Sequence, residues 1–158
     1  MQIYHSLLLL LTIGLFATNP VAANATESSR ALDVMKVATV TKMYQQDVDN
    51  EGMDNPVVLE QYANQDLKSA MQLERSYFDK NQMSCNVDYD VLWDSQDPDY
   101  TQDKKFSMTD KGLVRVSLAQ GSDIYYELSC DEDECRVADV ILDESGKSLR
   151  QHFLENCR

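Results

Sequence analysis

Residues 130–135 read CDEDEC, two cysteines around four consecutive carboxylates. Three chemistries fit such a run: a metal site, a disulfide-clamped turn or an acidic docking loop. Structural zinc needs cysteine pairs at closer spacing or histidines beside them. Here the spacing is Cys-x4-Cys, and His152 is the one histidine beyond His5. A clamped turn needs only that Cys130 end one strand and Cys135 begin the next, because opposed Cβ atoms in a hairpin come within bridging range. Cys85 and Cys157 then remain for a second bridge, from the start of the sheet region to the last helix, although four cysteines permit three connectivities.

A second acidic run, DVDNEGMDNPVVLE, sets Asp47, Asp49, Glu51 and Gly52 at positions one, three, five and six of a calcium loop. Position twelve, where a bidentate glutamate supplies much of the affinity, is Val58, and Glu60 falls two residues late. An acidic turn between helices is the preferred reading, so no metal and no cofactor is expected. Nucleophilic catalysis needs a free nucleophile beside an available histidine. The chain has no G-x-S-x-G, no HExxH and no phosphate loop, and no catalytic residue is assigned. One further constellation follows from the hairpin. With Cys130 opposite Cys135, an unbroken ladder sets Leu128 against Val137, Tyr126 against Asp139 and Ile124 against Ile141. Asp139 then lies on an apolar face with the Tyr126 hydroxyl as its partner. That is either a satisfied pair in the core, the preferred reading, or the polar floor of a ligand pocket.

These residues must be positioned by elements whose periods are visible. Residues 7–17 are an apolar run followed by small residues, with Val21-Ala22-Ala23 and Ala23-Asn24-Ala25 as cleavage patterns, which predicts a signal peptide over 1–25. The remainder, 26–158, is one domain. After a loose start over 26–30, apolar residues at 31, 34, 35 and 38, then 37, 40 and 44, predict a helix, with Ser28 or Ser29 as its N-cap. Asn55-Pro56 predicts an N-cap and first position for a short helix over 56–63, with Leu59 and Tyr62 inward, and Asp66 predicts the cap of a third helix carrying Leu67, Ala70, Met71, Leu73, Tyr77 and Phe78. Residues 85–103 read as an irregular segment. Val114, Val116 and Leu118, then Ile124, Tyr126, Leu128 and Cys130, alternate as strands, and CRVADVILD is a third. Leu149, Phe153 and Cys157 form a terminal helix stripe. Helices first, then an antiparallel meander, then a short helix is an α+β arrangement.

The chain carries 14 Lys and Arg against 27 Asp and Glu, a net charge of −13. That argues against nucleic acid and anionic lipid as partners and permits a cationic one, although on composition alone the preferred reading is that acidity keeps an exported protein soluble. Export permits the disulfides and places the protein in the periplasm, with no stable membrane insertion once the signal is cleaved.

The runs VTKMY, VLEQYANQDLKSAM, CNVDYDVLWDSQD, GLVRVSLAQ and CRVADVILDESGKSLRQHFLENC, covering Val40 to Cys157, resemble a family of exported bacterial domains of unknown function. That resemblance implies a curved antiparallel sheet wrapped by helices, the cone of the nuclear-transport-factor-two-like and cystatin-like group, with Asp90, Gln96, Asp97 and Asp139 at its recurring positions. Trp93-Asp94 and the CDEDEC hairpin depart from its pattern. The resemblance implies no activity.

Size, export, disulfides, acidity and the missing catalytic motifs lead to a non-catalytic periplasmic binding protein. Its concrete form is an immunity or inhibitor protein engaging a basic partner, a toxin or cell-envelope enzyme. Asp131, Glu132, Asp133 and Glu134 are the expected contacts, with Trp93 and Asp97 as anchors beside them. A small-ligand binder lined by Tyr126 and Asp139 is the alternative, and carboxylate-based catalysis is third.

Overall fold

The structure is a computed structural model and describes residues 20–143 and 145–158. The chain forms helices α1 (Pro20–Asp49), α2 (Val58–Tyr62) and α3 (Gln65–Asn81), strands β1 (Lys104–Met108), β2 (Val114–Leu118), β3 (Asp123–Cys130) and β4 (Cys135–Ile141), and helix α4 (Leu149–Asn156). The strands make one antiparallel sheet in the order β1-β2-β3-β4. Helices α1, α3 and α4 pack against it, so the chain is α+β. Val114, Val116, Ile124, Tyr126, Val137 and Val140 form the buried face of the sheet.

The expected signal segment lies outside the described residues as far as Asn19, and Pro20 to Ala25 belong to α1. No loose start intervenes at 26–30: α1 runs unbroken to Asp49, so Ser28 and Ser29 are interior residues and not caps. Nothing in ATESSR breaks a helix, and once Pro20 opens the first turn the backbone bonds propagate through it. The inward residues of α1 are Val40, Met43, Tyr44 and Asp47, at helical spacing. The next two starts also differ from expectation. The Asn55–Pro56 peptide is cis, and α2 begins at Val58 with Val57 before it. Asn64, not Asp66, caps α3, its Oδ1 accepting the Leu67 amide at 2.9 Å. Asp66 sits one residue inside, where a carboxylate favours the helix dipole without capping it. Phe78, expected inward, is exposed at the end of α3.

Strand β1 has no counterpart in the sequence reading. Its five residues offer only Phe106 and Met108 as apolar marks, and Lys104 shares their inward face through pairing with Leu118. A lysine turned inward on an edge strand discourages further strand pairing. Here its ammonium lies over the Trp93 ring, 5.0 Å from the centroid.

Two disulfides clamp the domain. Cys130–Cys135 closes the β3–β4 hairpin with a Cα–Cα distance of 4.0 Å, and Cys85–Cys157 ties the irregular segment to the end of α4 at 5.4 Å. His152 braces the longer link, its Nε2 2.9 Å from the Cys85 carbonyl. The two bridges span 72 and 5 residues, so the loop entropy they remove from the unfolded chain differs. Replacing Cys85 and Cys157 by serine is expected to cost about 4 kcal/mol, and replacing Cys130 and Cys135 about 2 kcal/mol. Denaturant unfolding of the two double variants checks this; the reverse order would refute the loop-closure account.

Candidate functional site

The last turn of α1, the 50–56 loop and the irregular 85–103 segment meet at one end of the sheet. What joins them is Trp93, which has no exposed surface. Its indole N–H donates to Asp47 Oδ2 at 2.6 Å. Its ring meets Tyr44 edge-on at 5.4 Å and Tyr100 at 5.3 Å, spacings at which aromatic pairs attract beyond their burial. The Gln120 side chain donates to the Trp93 carbonyl at 2.8 Å. Tyr44 continues the network inward. Its hydroxyl donates to the Leu92 carbonyl and, its single proton so used, accepts from the Tyr126 hydroxyl at 2.8 Å. Burial holds both phenols protonated, their pKa values pushed up beyond any working pH.

Below these aromatics lies a cleft of about 210 Å³. Val58, Leu59, Leu149 and Phe153 line it as buried apolar walls, Asp47 and Asp90 as carboxylates, and Val57 and Asn86 as exposed residues of its rim. Asp47 is only 4 % exposed. Asp90 opens a tight turn closed by its amide to the Ser95 carbonyl at 2.9 Å, and its Oδ1 accepts the Leu92 amide at 2.8 Å. The 50–56 loop is held by Asp54, which takes the side-chain amides of Gln46, Asn50 and Gln61. Gly52 stands at φ +69°, and a Cβ there would fall 2.3 Å from the Tyr100 hydroxyl. Glycine is needed both for the backbone and for the approach of Tyr100.

Burial is the main cause lifting the Asp47 carboxyl above its usual range; the Asp54 charge adds to it, and the Trp93 hydrogen bond opposes it without winning. Asp90 is lifted by burial first and by the Asp47 charge, against the Leu92 and Trp93 amides. A raised carboxyl pKa means that the folded state holds the proton more tightly than the unfolded chain does. The stability this gives is present below the ordinary carboxylate range and lost as pH rises through the folded values. Asp47→Asn, which keeps an oxygen for the indole N–H, is therefore expected to raise the melting temperature at pH 7 by a few degrees, and the gain should vanish towards about pH 3.5. Thermal unfolding across that range checks it; a difference that grows on acidification would refute the burial argument.

Trp93 lies in the core and is no surface anchor: an indole of that size covers more apolar area inside, and Asp47 satisfies its N–H. Asp97 is exposed on the 85–103 segment. In the hairpin, Asp131 Oδ1 accepts the amides of Asp133 and Glu134 at 3.0 and 2.9 Å, which lower its pKa. Glu134 pairs with Arg136 at 2.7 Å. The carboxylates of Glu132 and Asp133 alone extend from the tip with neither an ion pair nor a hydrogen bond among the described residues.

The expected pairing of Tyr126 with Asp139, preferred as a satisfied core pair and otherwise the polar floor of a pocket, does not form. The ladder shifts between Glu127 and Leu128, so that Leu128 faces Val137 while Glu127 faces Asp139, and Ala138 is the extra residue of a bulge. Val140 therefore occupies the place opposite Tyr126, and no carboxylate is forced onto the apolar face. Asp139, 3 % exposed, turns to the start of α4. Its Oδ1 accepts the Arg150 amide at 3.0 Å and its Oδ2 lies 3.4 Å from the Arg150 guanidinium. Ser148 takes the next amide, Gln151, at 3.2 Å. The two side chains satisfy two of the open N–H groups of the helix. Asp139→Ala is expected to cost about 2–3 kcal/mol with the denaturant slope unchanged; a loss below about 0.5 kcal/mol in urea unfolding would remove Asp139 as the anchor of α4.

Comparison with known proteins found no matching family model, no matching curated protein and no matching solved structure. Among the described residues no group of three or more His, Cys, Asp or Glu side chains could hold a metal ion. His152 is engaged beside Cys85, and the four cysteines are paired. Among the described residues no helix is long and apolar enough to cross a membrane, and two disulfides fit a protein of an oxidising, extracellular-type compartment.

The cleft residues Asp47 and Asp90 do appear in the sequence reading, Asp47 as a failed calcium ligand and Asp90 as a recurring position of the resembling family. Their juxtaposition does not, because Asp47 and Asp90 are 43 positions apart in the sequence. One signal lay open: Asp47 continues the inward stripe of Val40, Met43 and Tyr44, and a carboxylate on such a stripe calls for a partner.

Proposed function

We propose that this chain is an exported, non-catalytic binding protein of the bacterial periplasm that engages a basic protein partner. Its concrete form is an immunity or inhibitor protein against a cationic toxin that attacks the cell wall or membrane. One observation carries the reading: Asp47, Glu51, Asp90 and Asp97 all bear on the Tyr100 hydroxyl and raise its pKa together with burial, the larger cause. The end of α1 and the loop after it thus bring buried Asp47 and exposed Glu51 together with half-buried Asp90 and exposed Asp97 of the distant 85–103 segment around one face. That face is held rigid by Trp93, Gly52 and Asp54, so little ordering is lost when a partner docks. Met53 on the same loop is largely exposed and adds adaptable apolar surface. A potential of one sign over such a face steers a cationic partner and speeds encounter.

The contact surface proposed is therefore this face and not the CDEDEC tip, where Asp131 and Glu134 are occupied within the hairpin. A small ligand taken into a sheet-backed pocket is the weaker reading, since Tyr126 and Asp139 are both buried and bonded to other groups.

The oxidised domain as bait should retain one basic exported protein at physiological salt. Exchanging Glu51→Gln with Asp97→Asn should abolish that retention, and with purified components slow association by about tenfold and flatten its salt dependence. Exchanging Glu132→Gln with Asp133→Asn should leave both unchanged. Unaltered binding by the Glu51/Asp97 variant would remove this face from the interaction, and the absence of any basic partner would end the proposal itself.

A further inference from the structure

The acidic face opens onto the cleft, and the cleft is more selective than the face. We propose that it is the subsite for one lysine side chain of the basic partner, its methylene stem along the apolar walls and its ammonium between Asp47 and Asp90. This rests on the reading of a basic protein partner and names the contact that partner makes.

Three observations lead there. First, the walls are apolar and the volume is small. About 210 Å³ corresponds to roughly seven waters of ~30 Å³ each, room for a single side chain and less than the few hundred Å³ of a drug-sized site. An unbranched stem ending in a charge matches apolar walls with carboxylates between them.

Second, neither carboxylate is fully used. Trp93 occupies Oδ2 of Asp47, and the Leu92 amide occupies Oδ1 of Asp90, with the Trp93 amide as a further donor near that carboxylate. Asp47 Oδ1 has no hydrogen-bond donor among the described residues. It is not sealed off either, because no side-chain polar atom is both fully buried and unpaired there. An oxygen of a more than nine-tenths buried aspartate thus opens onto the cleft without a partner. Leaving a buried charged acceptor unpaired is costly, and a cation in the cleft would relieve that cost.

Third, the free oxygens belong to different carboxylates. A guanidinium binds best as a fork on both oxygens of one carboxylate, and neither Asp47 nor Asp90 offers two. An ammonium donates three separate hydrogens in diverging directions and can reach one oxygen of each. A divalent cation is disfavoured by the ligand set, since the described residues bring no third acidic, histidine or cysteine ligand to this place.

The cleft carries its own reporter. Trp93 is the one tryptophan of the chain, and its indole N–H is bonded to Asp47. The test is titration of the oxidised wild-type domain with Nα-acetyl-lysine methylamide, followed by the indole N–H resonance of Trp93. Its ε-acetylated form serves as a control of equal stem and no charge, and Nα-acetyl-arginine methylamide as a control of equal charge. The expected result is a saturable shift with the lysine compound, none with the acetylated compound, and binding by the arginine compound weaker by about fivefold or more. Asp90→Asn, which keeps an oxygen for the Leu92 amide, should weaken lysine binding about tenfold while the unliganded resonance persists.

No saturable shift with wild type, or the same shift with the acetylated compound, would overturn the subsite. Arginine binding as tightly as lysine would overturn the assignment of the ammonium. Because these titrations use no protein partner, a failed subsite leaves the partner capture by the acidic face to stand or fall by itself.

Discussion

The hydrogen bond between the Trp93 indole and Asp47 ties an irregular segment to the end of the longest helix, and most of the site hangs from it. Residues 85–103 have no ladder of their own beyond a single bridge between Asp90 and Ser95, so their backbone order must come from side chains. Trp93 supplies it by burying its whole surface among Tyr44, Tyr100 and the ammonium of Lys104. A buried indole without an acceptor would lose much of that gain. Asp47 provides the acceptor, at the cost of placing a carboxylate in the core. The orientation of Tyr100 over Gly52, the turn at Asp90 and the cleft between them follow from that anchor.

The same residue type is driven in opposite directions within one molecule. Asp99, Asp131 and Asp143 sit in exposed turns where nearby hydroxyls and amides donate to them, and their pKa values fall. Asp47 and Asp90 are lifted by burial and by charge of their own sign. The first group serves local turn geometry. The second departs from the rule that buried charges are matched, and departures of that kind gather where a protein binds something. Asp139 shows that this chain can satisfy a buried aspartate fully when only structure is at stake: the β4 bulge and the start of α4 give it two amides and a guanidinium.

Density of acids in the sequence is therefore a poor guide to how their charge is used in the fold. The four acids of CDEDEC are the densest charge in the sequence, yet two of them close the hairpin and neutralise Arg136. The surroundings of Tyr100 draw single acids from positions 47, 51, 90 and 97, and none of the four has an ion pair among the described residues. These surroundings also stand on a braced scaffold, whereas Glu132 and Asp133 end at an exposed tip.

Period and pairing rules determined the α+β arrangement, the meander from β2 to β4, the terminal helix with Leu149, Phe153 and Cys157 inward, and the hairpin clamp, because each depends on residues within one or two turns of chain. Three things needed the folded molecule. Strand β1 is too short and too polar to show its alternation until β2 pairs with it. The extra residue at Ala138 leaves no mark in the sequence, and it alone decides that Asp139 meets Arg150 and not Tyr126. The cleft joins Asp47 to Asp90 through Trp93, a contact between segments more than forty residues apart. Local periodicity records which side of an element is apolar; which polar side chain from another element arrives to share that side is settled only when the layers pack.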